Sequence, residues 1–136
     1  MSQVVIRRGF EAKLKAWADA QVPAIPVAWQ NVPFTPPAGR YIRAFLLPAR
    51  TQILALDGIG RTFRGIFQVS FCMPINIGSR TADDLVSALD AEFSATFVQN
   101  GLRIYLLEPF SAGPAIQEPD RFVVPCSATY RSDTVA

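Results

Sequence analysis

The sequence predicts an α+β fold: a mixed or mainly antiparallel sheet of about five to six strands, with two amphipathic helices packed on one face. Three observations predict it. Between Arg61 and Ile75, apolar side chains fall at Phe63, Phe67, Val69, Phe71, Met73 and Ile75, while Gln68 and Ser70 fall between them. That period of two places the odd positions on one face of a sheet. Between Thr81 and Phe97, the residues Ala82, Leu85, Val86, Leu89, Phe93 and Phe97 recur at spacings of three and four, which is one stripe of a helix. Finally, the order of elements is helix, three or four strands, helix, two strands. Strands grouped in blocks between single helices indicate α+β rather than an alternating parallel sheet.

The first helix is expected from about Gln3 to Ala20, because Ile6, Phe10, Leu14 and Trp17 share one face. Gly9 weakens it by about 1 kcal/mol relative to Ala, and Pro23 closes it. Ile25 to Gln30 reads as a short edge strand among prolines. Phe34 to Gly39 reads as an extended loop whose Pro36-Pro37 pair serves as a stiff connector, a recognition segment being the alternative. Arg40 to Pro48 is a strand with two largely apolar faces: Tyr41, Arg43, Phe45 and Leu47 on one, Ile42, Ala44 and Leu46 on the other. Such a strand is interior or covered by a partner. Thr51 to Leu56 is a further strand, and Asp57-Gly58 is a hairpin signal because glycine accepts positive φ.

After the long strand, Ser79 or Thr81 caps the second helix, Asp83 and Asp84 sit in its first turn where the helix dipole favours them, and Asn100-Gly101 ends it. Leu102 to Leu107 is a strand, and Glu108 to Asp120 is a loop. Arg121 to Arg131 is the last strand, with Phe122, Val124, Cys126, Ala128 and Tyr130 on one side and Pro125 marking a bulge or an edge. The tail from Ser132 is expected to fray.

The 136 residues are expected to form one domain, 1–136, since no repeat or long linker divides them. Half the residues are hydrophobic and the mean hydropathy is +0.22, which favours some apolar surface being hidden in an assembly. No apolar run reaches the roughly 20 residues that span a bilayer, and the N-terminus lacks the apolar segment of a signal peptide; a cytoplasmic or intracellular product is expected. The net charge of +2 is too balanced to predict nucleic-acid binding. Eleven of the thirteen basic residues are Arg, which suits planar contacts at interfaces. Cys72 and Cys126 read as buried free thiols.

The chain has no histidine. It therefore lacks the commonest general base and metal ligand, and Ser-His-Asp and Cys-His catalysis is excluded. Without histidine or a paired cysteine motif, no metal site is predicted. Asp83, Asp84, Asp90 and Glu92 lie off the apolar stripe and read as a solvated helix face. Gly58-Ile-Gly60 looks like part of a dinucleotide loop, but a strand follows where a helix is required. Catalytic residues, cofactors and metal are each expected to be none. Arg40, Arg43, Arg50, Arg61 and Arg64 gather around the predicted hairpin, so a nucleic-acid-binding module using these arginines is the alternative function. An enzyme using carboxylates or Cys72 is the least favoured reading.

Several phrases match a known pattern. An amphipathic helix ends in Trp17. The block Val27-Ala-Trp-Gln-Asn-Val-Pro-Phe-Thr-Pro-Pro follows, then Tyr41-Ile-Arg-Ala-Phe-Leu-Leu-Pro, a glycine-bearing turn before Arg64-Gly-Ile-Phe-Gln-Val-Ser-Phe, and Ala82-Asp-Asp-Leu. In this order they resemble the tail terminator-like proteins of long-tailed bacteriophages and prophages, over nearly the whole chain. The resemblance implies a structural virion protein that forms a homo-hexamer on the end of the finished tail tube. It would stop tube polymerisation and offer a surface for head attachment. The implied partners are the major tail tube protein and a head-completion protein, with no membrane and no specific nucleic acid. The implied location is the virion tail, and the host cytoplasm during assembly. For the contact arm, the glycine-bearing loop is selected: Asp57, Gly58, Ile59, Gly60, Arg61 and Arg64, because a hairpin tip with glycine on both sides of Ile59 can adapt to a partner, a plain hairpin turn being the alternative.

Overall fold

The computed structural model describes residues 3–21, 24–53, 60–75, 80–93, 96–99 and 102–134. Helix α1 (Gln3–Asp19) opens the chain. It is followed by strands β1 (Val27–Ala28), β2 (Tyr41–Pro48), β3 (Gln52–Ile53) and β4 (Arg61–Pro74), helix α2 (Arg80–Glu92), and strands β5 (Thr96–Gln99), β6 (Leu102–Ala112), β7 (Ile116–Gln117) and β8 (Arg121–Thr134). One sheet runs in the order β1-β2-β4-β8-β6-β5, with β3 paired to β4 and β7 paired to β8 beside that path. Among the described residues, only the β1–β2 pair is parallel. The α+β class and the two helices on one face follow the sequence expectation.

Burial explains why the odd residues of β4 point inward. Phe63, Phe67, Val69, Phe71 and Met73 are buried, as are Ile42, Ala44 and Leu46 of β2 and Val124, Cys126, Ala128 and Tyr130 of β8. Against them lie Ile6, Phe10, Leu14 and Trp17 of α1 and Ala82, Leu85, Val86 and Leu89 of α2. Phe10 is the meeting point. Its ring stacks on Phe67 at 4.6 Å and on Phe93 at 5.9 Å, and meets Phe97 and Tyr130 at 5.2 and 5.3 Å. Such pairs add about 0.5–1.5 kcal/mol each beyond their buried area, so this cluster ties both helices to the sheet. Lys13 lays its ammonium 5.5 Å over the rings of Phe93 and Phe97; its aliphatic stem closes the edge of the core while the charge stays at the surface.

Gly65 faces the core directly opposite Tyr130 of β8. A Cβ there would stand 2.5 Å from the Tyr130 hydroxyl and 2.6 Å from the carbonyl oxygen of Leu47. The absent side chain is what lets the Tyr130 ring lie across β4 and donate to Gln3 Oε1 at 2.7 Å.

Five expectations are corrected. The second helix ends at Glu92, not Phe97; Phe97 belongs to β5, paired with Ile104. Thr96-Phe-Val is β-branched and aromatic, and the pairing of Gln99 with Leu102 leaves Asn100-Gly101 between two strands, the strongest short hairpin signal. Asn100 and Gly101 themselves, like the expected cap Ser79, Pro23 and residues 54–56, lie outside the described residues.

The expected loop from Glu108 is strand as far as Ala112. Two single-residue register shifts, between Leu106 and Glu108 and between Glu108 and Ser111, absorb Pro109. Asp90, expected on a solvated face, accepts a hydrogen bond from the Phe110 N–H at 3.1 Å and so anchors that bulge to α2.

The tail does not fray at Ser132. Ser132 is fully buried and donates to the Arg103 carbonyl at 2.7 Å, and Thr62 donates to Asp133 at 2.8 Å. Ile75, expected on the inner face, lies past the end of β4 and is exposed.

Pro125 is in an interior strand, yet its carbonyl accepts from Gly113 N–H. That side of β8 faces residues 113–115, between the end of β6 and the start of β7, where no ladder donor is required.

Candidate assembly surface

The sheet has a second face that, among the described residues, carries no helix. The even residues of β4, the odd residues of β8 and Tyr41, Arg43, Phe45 and Leu47 of β2 alternate onto it. One end of this face is closed by the chain itself. Tyr41, Cys72 and Val123 form a small buried cluster under Phe34. Arg43 donates through Nε to Cys72 Sγ at 3.1 Å and pairs with Glu118 at 3.3 Å. Arg121 donates to the carbonyls of Pro37 and Ala38 and lies 5.5 Å over the Tyr41 ring. Burial, together with the neighbouring Cys72 sulfur, raises the pKa of the Tyr41 phenol. The Pro36-Pro37 segment is therefore a strap pinned across the sheet, in line with the connector reading.

The other half of that face is open. Leu47 and Ile66 stand directly opposite each other in β2 and β4, 45% and 39% exposed. Tyr105, Val98 and Leu107 are exposed toward the β6–β5 end. Arg64 faces Arg131 across the β4–β8 pair. Asp133 sits within reach of both: burial pushes its carboxyl pKa up, but hydrogen bonds from Thr62 and Arg131 and the charges of Arg131 and Arg64 outweigh that and lower it.

Of the residues chosen from the sequence as a contact arm, Asp57, Gly58 and Ile59 lie outside the described residues. Gly60 is buried, Arg61 is half-buried, and Arg64 is exposed on the open half of the helix-free face. The five arginines do not gather. Tyr41 pairs with Cys72 and Pro48 with Gly65, so Arg40 and Arg43 lie at one end of the sheet while Arg50, Arg61 and Arg64 lie at the other, roughly 20 Å away at about 3.3 Å per residue. The sequence reading missed the Leu47–Ile66 pair. Its signal was present in the two apolar faces of Tyr41–Pro48, but the register that places Ile66 beside Leu47 is not visible in either segment alone.

The cysteines are both buried and free. Cys72 points to the helix-free face, whereas Cys126, opposite Val69, points to the core, so the sheet lies between them and no disulfide can form. Burial, reinforced by the negative charge of Asp90, pushes the Cys126 thiol up to about 12; a nucleophile needs the opposite shift. Among the described residues, no group of three metal-binding side chains lies together. None of their helices is long and apolar enough to cross a membrane.

A groove of about 740 Å³ runs between α1 and the turn at Trp29–Val32, lined by Arg7, Arg8, Lys15 and Val32 among others. Gln30 closes its floor, accepting from both the Leu46 N–H of β2 at 3.0 Å and Arg7 at 2.8 Å. This side chain occupies a ladder position that β1 is too short to fill.

Comparison with known proteins places this architecture. One solved structure is 42% identical to the chain, covers 100% of it and is covered over 99% of its own length, with a TM-score of 0.84. No curated protein matches. The family model of the phage tail terminator protein matches residues 5–130, which takes in all but the first residues of α1 and all but the last residues of β8. The chain belongs to the phage tail terminator family, and so is a structural component of a phage tail.

Proposed function

We propose that this protein caps the finished tail tube as a ring of identical subunits, six in number. The ring ends tube polymerisation and presents the surface on which the head is joined. Its partners in this reading are the major tail tube protein on one side and a head-completion protein on the other. Assembly takes place in the host cytoplasm, and the product remains in the virion tail. The protein acts through its surfaces and turns over no substrate. The observation that carries the reading is the family match over residues 5–130. The open half of the helix-free face, with Leu47 and Ile66 exposed side by side, supports it as surface suited to a partner.

The segment from Asp57 to Arg64 remains our proposed tube or subunit contact. Arg64 in β4 is exposed on the open half of the sheet, which supports a part for it in such a contact. The test is a binding assay on purified tail tubes. Arg64→Glu is expected to weaken capture of the protein on tube ends without changing its fold. Full capture by a variant carrying both Arg61→Glu and Arg64→Glu would remove the arm from the contact.

A further inference from the structure

The two ends of the sheet are finished in different ways. β5 closes the strand order at one end, and among the described residues no strand lies beyond it. Its sequence, Thr96-Phe97-Val98-Gln99, carries no charge and no proline, and Val98 is exposed. Charged residues and proline are what usually discourage an edge strand from pairing with another chain.

The β2 end is closed amide by amide. The N–H groups of β2 that point away from β4 recur at every second residue, from Ile42 through Ala44 and Leu46 to Pro48. The Ile42 N–H is bonded to the Pro26 carbonyl at 2.9 Å. Ala44 follows Arg43, whose partner Ala28 ends β1. Pro48 has no N–H. That leaves Leu46, and β1 stops too early to reach it. Asn31 takes a left-handed φ of 60°, which asparagine tolerates, and the Val32 N–H returns to the Trp29 carbonyl at 3.2 Å. This turn carries the backbone away from the ladder, but the Gln30 side chain stays. Its Oε1 accepts from the Leu46 N–H at 3.0 Å and from Arg7 of α1 at 2.8 Å. Helix α1 thus holds an amide oxygen where the carbonyl of an added strand would stand.

We infer that Gln30 is an edge stop: its side chain keeps the β2 edge from accepting the β5 edge of a second copy of this chain. Strand addition uses backbone groups, so it needs no matching of side chains. Joining the β5 edge of one copy to the β2 edge of the next is a head-to-tail contact, which continues as a filament when it does not close. Blocking one of the two edges prevents this, and the other can stay bare. The inference does not depend on the ring reading, because it concerns an association that the native chain avoids.

The test compares full-length variants with the unaltered chain. Gln30→Ala removes the acceptor. Gln30→Glu keeps an oxygen at the same reach, with Arg7 to hold it. Adding Val98→Lys to Gln30→Ala places a charge on the β5 edge. Association is followed by sedimentation and electron microscopy over a concentration series, and hydrogen exchange of the Leu46 amide in dilute protein reports on the β2 edge itself. In Gln30→Ala, Leu46 exchange is expected to rise on the order of tenfold through loss of one hydrogen bond. Elongated species without a size limit are expected at concentrations on the order of tenfold below those at which the unaltered chain forms any. Gln30→Glu is expected to match the unaltered chain in both readings. Val98→Lys is expected to abolish the elongated species while leaving the fast Leu46 exchange.

The inference is overturned if Gln30→Ala keeps the size distribution of the unaltered chain, or if Gln30→Glu associates as Gln30→Ala does. Elongated species that persist unchanged with Val98→Lys overturn it equally, since the β5 edge is then not the partner. Should circular dichroism show Gln30→Ala to be misfolded, Gln30→Asn draws the oxygen back by one methylene and carries the same comparison. A smaller gain in association is then expected, and no gain counts against the edge stop.

Discussion

Replacing Gly65 by Ala is expected to destabilise the protein strongly for an exchange that adds one methyl group. A Cβ at this position would lie 2.5 Å from the Tyr130 hydroxyl, 2.7 Å from its Cζ and 2.6 Å from the Leu47 carbonyl oxygen. None of these can step aside at small cost. The carbonyl is part of β2, which is paired with β4 along its whole length. Tyr130 is fully buried, packed against Phe10, and bonded to Gln3. Overpacking a filled core costs roughly 1–3 kcal/mol, and loss of the Tyr130–Gln3 hydrogen bond adds about 1 kcal/mol. The sum is about 2–4 kcal/mol, a large fraction of the stability of a domain this size. Urea unfolding of the two proteins measures it directly. A second measurement locates the cause. Tyr130→Ala alone opens a cavity and is expected to cost about 3–5 kcal/mol, but less in the Gly65→Ala background, where the ring is already obstructed. The double variant should therefore be more stable than the sum of the singles by at least about 1 kcal/mol. A Gly65→Ala cost within about 0.5 kcal/mol of zero, or strict additivity with Tyr130→Ala, would refute this account of why glycine stands there.

Other consequences follow from particular contacts. Asp90→Ala leaves the Phe110 N–H at the β6 bulge without its acceptor, and should cost about 1–3 kcal/mol in the same unfolding assay; no loss would mean the bulge holds itself. Cys72 and Cys126, both within 1% of complete burial, should resist a thiol reagent in the native protein and react together on unfolding, as read by mass spectrometry. Rapid native labelling of Cys126 would contradict its raised pKa and its burial. Asp133 has a lowered pKa, so its contribution to stability is present above the ordinary carboxylate pKa of about 3.9. That contribution is lost as pH falls through the lower, folded value. The stability gap between the unaltered protein and Asp133→Asn, measured across the acid range, should close in that window, and a gap constant with pH would exclude the charge as its source.

Which parts of this fold were legible in the sequence depended on how burial is imprinted. β4, β8 and α1 each turn one apolar side to the main core, so hydrophobic periods of 2 and 3.6 wrote their faces plainly at Phe63–Met73, Phe122–Tyr130 and Ile6–Trp17. The α2 stripe was extended too far because Phe97 stands four residues after Phe93, a helical spacing, and yet reaches the same aromatic cluster from a strand. Strand β6 was cut short because Pro109 reads as a breaker; only the pairing with β8 reveals the two register shifts that accommodate it. Ser132 and Asp133 looked like a polar tail because their burial depends on distant partners, Arg103 and Thr62, which hydropathy cannot see. The assembly surface was the least legible. The exposure of the Leu47–Ile66 pair is a property of the folded surface, whereas a glycine-rich turn such as Asp57–Gly60 is conspicuous in sequence whatever it contacts.

The central claim is that the protein ends a tube by sitting on it. Tail tube protein polymerised in vitro with increasing amounts of this chain, with tube length measured by electron microscopy, tests that claim most directly. The account predicts arrest at a few copies per tube end, far below one per tube subunit, with a ring-shaped density on the arrested end. Tubes that grow to the same lengths with or without the chain, or shorten only when it matches the tube subunits one for one, would contradict it.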